Sequence, residues 1–204
     1  MPDLSPGAKL LGLRGEPIVL ASLSPRRRDL LRMLGLHYET LAPDVEEGGW
    51  TSAEAPEAYV EKLARAKALW VPQGVPGYAV LAADTVVYLD GQVLEKPEDR
   101  DHARTLLGRL SGREHEVYTG VCLRRLRDER VVTGHDRSRV RFSTLEESVI
   151  ETYIETGEPM DKAGAYGIQG FGGLLIRGIE GCYFNVMGLP LHRLRRLVHE
   201  MESV

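Results

Sequence analysis

The most apolar segment of the chain carries a carboxylate at its centre: Ala79-Val80-Leu81-Ala82-Ala83-Asp84-Thr85-Val86-Val87-Tyr88-Leu89. The run is rich in β-branched residues and is followed at once by Asp90-Gly91 and the short return Gln92-Val93-Leu94. That pattern reads as a central strand entering a hairpin. A lone carboxylate is costly to bury, so Asp84 must meet a metal, a cation or water in a cleft. An Asp beside Thr85 on such a strand can hold a divalent ion, activate water, or do both. The plainer alternative is a structural Asp satisfied by an arginine or by backbone N–H groups.

A second buried strand is expected over 17–22, then a helix capped by Ser24 with Pro25 at its first position and closed by Gly35. A strand over 37–42 follows. An amphipathic helix over 56–71 is expected to bury Tyr59, Leu63, Ala66 and Trp70. Further expectations are a helix over 99–110, a long hairpin of strands over 115–125 and 130–142, and a helix over 145–155. A glycine-rich loop over 157–173, a strand near 174–177 and a helix over 190–201 complete the chain. Strands alternate irregularly with hairpins and helices, so the fold class is α/β with a mixed sheet, not a doubly wound parallel one. Residues 1–15 are expected to be an extension and residues 16–204 a single domain.

Ser22-Leu23-Ser24-Pro25-Arg26-Arg27-Arg28 puts three arginines into the first turn of a helix, where the helix dipole disfavours positive charge. An anion would compensate, and free N–H groups, two serine hydroxyls and guanidinium forks suit a polyphosphate. Otherwise the arginines fan into solvent or pair with carboxylates such as Asp29. The chain has only five lysines among 26 basic residues, so their positions matter. Lys67 falls on the apolar stripe of its helix, either snorkelling or reaching a phosphate. Lys96-Pro97 follows the hairpin and can reach the same cleft. Gln169, within Tyr166-Gly167-Ile168-Gln169-Gly170, offers a donor and an acceptor suited to a base edge, or else sits in a structural loop.

Net charge is −4, which supplies no global field for a nucleic-acid backbone. Cys122 and Cys182 form no CxxC pair, and six histidines are scattered without ligand spacing. No stretch approaches membrane-spanning length, so the expected compartment is the cytoplasm. There is no GxxxxGK[ST], GxGxxG opening a helix, HExxH or GxSxG.

Several stretches, in order, resemble the Maf family of nucleotide pyrophosphatases. They are Leu20-Ala21-Ser22-Leu23-Ser24-Pro25-Arg26-Arg27, Ala83-Asp84-Thr85-Val86-Val87, Glu95-Lys96-Pro97, Leu110-Ser111-Gly112, the run from Asp161 to Gly170, and Gly188-Leu189-Pro190. The resemblance implies an inosine triphosphatase-like fold, with a mixed twisted sheet, flanking helices and a deep central cleft, usually as a homodimer. It implies hydrolysis of a nucleoside triphosphate to monophosphate and pyrophosphate with Mg²⁺ or Mn²⁺, a house-cleaning role linked in some relatives to division arrest. Carried over by residue, Asp84 is the proton acceptor and, with Glu47, the metal ligand. Arg26, Thr85 and Gln169 are tied to substrate choice. Ser22, Ser24, Arg27, Lys67 and Lys96 hold phosphate, while Arg28 faces solvent. Ala83-Asp84-Thr85 with Gly167-Ile168-Gln169-Gly170 resembles the branch acting on dTTP and UTP, whereas Ser-Asp-Gln and Glu-Gly-Leu-Gly mark the 7-methyl-GTP branch. Leu23 and Cys182-Tyr183-Phe184-Asn185 depart from the usual pattern. The rival expectations are a broader or purine-directed triphosphatase and a nucleotide-sensing inhibitor of septum formation with little turnover.

Overall fold

β3 (Ala79–Leu89) is the strand from which the rest of the sheet extends. The computed structural model describes residues 4–13, 17–45 and 49–203. One edge of β3 is fully used: β5 (Glu114–Arg125) runs antiparallel to it from Ala79↔Arg125 to Tyr88↔Glu116. The other edge is divided. β1 (Ile18–Ala21) lies parallel to residues 79–81, and β4 (Gln92–Leu94) folds back on residues 87–89. Between them, residues 82–86 have no strand on that edge among the described residues. β2 (Tyr38–Leu41) extends β1 in parallel, and β6 (Val131–Phe142) and β7 (Ile176–Glu180) extend β5 antiparallel. The sheet is thus mixed, as the sequence pattern requires.

Alternation along β3 sends its side chains to two faces. Val80 and Ala82, then Val86 and Tyr88, lie in two apolar clusters under α3 (Pro56–Trp70). On the opposite face, Ala79, Leu81 and Ala83 join α1 (Pro6–Leu11), α2 (Pro25–Met33) and α7 (Leu191–Glu202). Val87 and Leu89 join α4 (Arg100–Leu110) and α5 (Glu147–Glu155). Asp84 therefore separates the two clusters on one face, and Thr85 separates the two on the other.

Gly120, paired across the sheet with Asp84, lets α3 approach. A Cβ there would lie 2.3 Å from the Val60 carbonyl oxygen. The buried face of α3 differs from the expected one. It runs through Tyr59, Val60, Leu63, Ala64, Lys67 and Ala68, while Trp70 is 40% exposed. Three more expectations need correction. Ser5 caps a helix whose Ala8 and Leu11 are buried with Leu30 and Leu194, so the described residues 4–13 of the expected extension join the core. The glycine-rich segment contains three short 3-10 turns, and the strand near 174–177 lies at Ile176–Glu180. A short helix, α6 (Tyr183–Val186), had no strong local signal. No helix among the described residues is long and apolar enough to cross a membrane.

His115, on β5, is 2% exposed and packs against Phe142 and Tyr166, with Nε2 2.7 Å from the Tyr166 hydroxyl. Burial lowers its pKa from 6.5 to about 4.

Two outcomes follow from this packing. Gly120→Ala should lower the unfolding free energy by about 1–3 kcal/mol through overpacking against α3; an unchanged denaturant midpoint would mean that α3 can move aside freely. Below pH 6.5 the unfolded chain takes up a proton that folded His115 refuses until about pH 4. Its contribution to stability is therefore complete above that window and lost as pH falls through it. His115→Phe should flatten that segment of the stability–pH curve, and a curve with the parent's slope would discount the residue.

Candidate active site

The divided edge of β3 opens into a cleft of about 710 Å³, a size suited to a nucleotide. Its walls include the start of α2, residues 84–87 of β3, Lys96, the stretch 161–163 and Gly188. Because the strand edge is uncovered there, both faces of β3 contribute: Asp84 from the α3 side and Thr85 from the other.

Asp84 is 7% exposed and Lys67 9%. The Lys67 Nζ donates to Asp84 Oδ1 at 2.5 Å. This pairing answers the question raised by a carboxylate in an apolar strand: its counter-ion arrives from α3, seated close by Gly120. Removing either charge would leave the other buried, a change that costs about 3–5 kcal/mol in comparable pairs. Lys67, expected to hold phosphate, lines the cleft and pairs with the Asp84 carboxylate.

Arg27 is also buried, and its guanidinium joins three parts of the chain. Nε donates to the Gly188 carbonyl at 2.8 Å, one terminal nitrogen to Ser22 Oγ at 3.0 Å, and the other to Thr85 Oγ1 at 3.1 Å. Gly188 has φ of 102°, and a Cβ there would lie 3.2 Å from Thr85 Oγ1 and 3.7 Å from Arg27 Nε. Only glycine allows the backbone this close at that angle. Arg27 therefore organises the cleft wall from within, which differs from an arginine displayed to solvent for phosphate.

Arg26 lines the cleft and faces Asp161 at 3.8 Å. Burial tends to raise the Asp161 pKa, but the Lys162 ammonium at 2.6 Å and Arg26 hold it below its ordinary value. Ser22, Ser24 and Lys96 line the same space, and the Ser24 side chain makes no helix-capping bond. Arg28, expected toward solvent, is half-buried, and its Nε is buried without a hydrogen-bond partner among the described residues. Asp29 pairs with Arg32 rather than with this arginine triplet.

Gln169 is exposed and is not among the residues that line the cleft, whereas Gly167 and Ile168 are. Its loop is held by Glu158, whose carboxylate accepts from Phe171 N at 2.9 Å, Gly172 N at 3.0 Å and the Tyr153 hydroxyl at 2.9 Å. Glu47 lies outside the described residues. Sequence reading missed Asp161, Thr119 and Asn185. The Thr119 hydroxyl lies 3.0 Å from that of Thr85 and donates to the Asn185 carbonyl at 2.9 Å. Thr119 could have been found only from the β3–β5 register, which sets it opposite Thr85.

Residues 17–201 match the family described as Maf-like protein. The chain is 51% identical over 178 residues to a dTTP/UTP pyrophosphatase of Symbiobacterium thermophilum, covering 87% of this chain and 90% of the relative. It is 45% identical to a dTTP/UTP pyrophosphatase of Clostridium perfringens strain 13, covering 91% and 97% of the two chains. The structure of the Staphylococcus aureus Ham1 protein matches at 16% identity with a TM-score of 0.40, over 62% of this chain and 71% of that one, a likeness too slight to argue from. With a family match across almost all of its length and relatives sharing about half of its residues, the chain belongs to the Maf family.

Proposed function

We propose that the chain hydrolyses dTTP and UTP to the corresponding monophosphate and pyrophosphate. The observation that carries this reading is the buried, lysine-held carboxylate of Asp84 opening into the same cleft as the arginine-rich start of α2. The same cleft thus offers positive charge and hydroxyls for a polyphosphate together with a proton acceptor. The names of the relatives supply the substrate pair.

In this reading Arg26, Ser22, Ser24, Lys96 and the first turn of α2 hold the triphosphate. Arg27 fixes the wall behind it. Lys67 holds the Asp84 carboxylate in one orientation, and Asp84 accepts a proton from the attacking water. The new bond joins the water oxygen to the α-phosphorus; the bond that breaks joins that phosphorus to the oxygen bridging to the β-phosphate, and pyrophosphate departs with it.

Among the described residues no three His, Cys, Asp or Glu side chains cluster as a metal cage. Mg²⁺ commonly uses one or two carboxylates together with substrate phosphates, and Asp84 lines the cleft beside the arginine-rich start of α2. A carboxylate beside a phosphate-binding wall suits Mg²⁺ or Mn²⁺, which Asp84 would hold, with Glu47 as the second carboxylate of this reading. Such an ion would supply neutralisation of phosphate charge. The reading also carries a homodimer in the cytoplasm, whose assembly light scattering would check.

Release of monophosphate and pyrophosphate from a panel of triphosphates with Mg²⁺ or Mn²⁺ should favour dTTP and UTP, and preference for a purine would overturn the assignment. Asp84→Asn should lower kcat by about 100-fold or more while nucleotide binding persists. Turnover at the parent rate would remove Asp84 from the chemistry.

A further inference from the structure

Behind the cleft, the carboxylate of Glu158 gathers three donors from residues that do not line it. Oε1 accepts from the Tyr153 hydroxyl at 2.9 Å and from Gly172 N at 3.0 Å, and Oε2 accepts from Phe171 N at 2.9 Å. Tyr153 is 4% exposed, and burial together with this carboxylate raises its pKa, so the phenol keeps its proton. That single proton goes to Glu158. A lone pair of the hydroxyl is therefore what accepts from Gly167 N at 3.1 Å. Gly167 does line the cleft, with Ile168 beside it.

The same residue holds the neighbouring wall by its backbone. The Glu158 carbonyl accepts from Lys162 Nζ at 2.6 Å, and Lys162 lines the cleft with Asp161 and Ala163. The two wall segments also touch each other: a Cβ on Gly167 would lie 2.6 Å from Lys162 Cε. On the far side of the loop, a Cβ on Gly172 would lie 2.2 Å from the Gly167 carbonyl oxygen, so the turn closes this tightly around Glu158 only with glycine there. A carboxylate can only accept, which suits all three of its donors. A Gln amide of the same size cannot match them, because either way round it sets an N–H against a backbone N–H.

We propose that Glu158 is a positioning residue, which fixes the Lys162 and Gly167–Ile168 walls from behind before a nucleotide enters the cleft. Its effect falls on affinity and not on the chemistry at Asp84, because a wall set in advance spares the ligand the cost of ordering it. This inference rests on the proposed triphosphatase reading, and the experiment separates the two.

Glu158→Gln should raise KM for UTP by about tenfold and leave kcat within about twofold of the parent. The dissociation constant of α,β-imido-UTP, whose α–β bridge resists hydrolysis, should weaken by the same factor in calorimetry. Tyr153→Phe, which cuts the link from Gly167 to the carboxylate, should raise KM by about threefold, and the double variant should be no worse than Glu158→Gln alone. Glu155→Gln, which removes an exposed carboxylate at the end of α5, should leave both constants at the parent values. Parent constants in Glu158→Gln, or a fall in kcat at constant KM, would overturn the inference and leave the triphosphatase reading intact. An equal loss in Glu155→Gln would do the same. No hydrolysis of UTP or dTTP by the unaltered protein would overturn that reading, while the imido-UTP comparison still decides the role of Glu158 in binding. If Glu158→Gln fails to fold, Tyr153→Phe decides, and a parent KM there would overturn the inference.

Discussion

A strand has two edges, and β3 shares one of them between two short partners. β1 stops after Leu81 and β4 begins only at Val87, so the middle of the most buried strand is left open on one side. Unpaired backbone and an uncovered edge are expensive in a core but useful beside water and a polar ligand. The cleft is therefore an interruption in sheet pairing, and β5 keeps the strand rigid from behind. Asp84 and Thr85 occupy the interruption, and each marks the seam between two apolar clusters.

The polar groups that line this gap are held from outside it. Lys67 reaches Asp84 because Gly120 lets a helix sit against the sheet. Arg27 reaches Thr85 because Gly188 leaves room for it. In both places a missing side chain sets the distance, and a buried cation supplies the direction. Charge-assisted bonds of this kind are strong and directional, which lets side chains keep one orientation before any ligand arrives.

Much of this was legible in the chain because period and punctuation act locally. The alternating run 79–89, Asp90-Gly91 and Ser24-Pro25 each specify their element without help from distant residues. Asp84 was legible for a related reason, since a charge in such a run needs an explanation. The helix at 6–11 was not, because its value comes from Leu30, Leu31 and α7, which lie far along the chain. Lys67 was placed on the correct stripe, but its partner depended on how α3 crosses the sheet. Gln169 looked suited to a base, yet Glu158 fixes a loop that leaves it exposed. Thr119 and Asn185 carry no local signal, because their importance arises only from register.

The pairing of β3 with β5 has a consequence for how the chain finds its fold. A shift of one residue would exchange the faces of every side chain on β3. Asp84 would then leave Lys67 for the seam now occupied by Thr85, and Thr85 would turn beneath α3. The apolar residues on either side are small and similar enough to tolerate that exchange poorly but without a sharp penalty. Asp84 would exchange the Lys67 ammonium for the Arg27 guanidinium that now donates to Thr85, and Lys67 would face a neutral hydroxyl beneath α3. The two faces thus hold different cations, an ammonium beneath α3 and a guanidinium opposite, and only the native register gives the carboxylate to the first and the hydroxyl to the second.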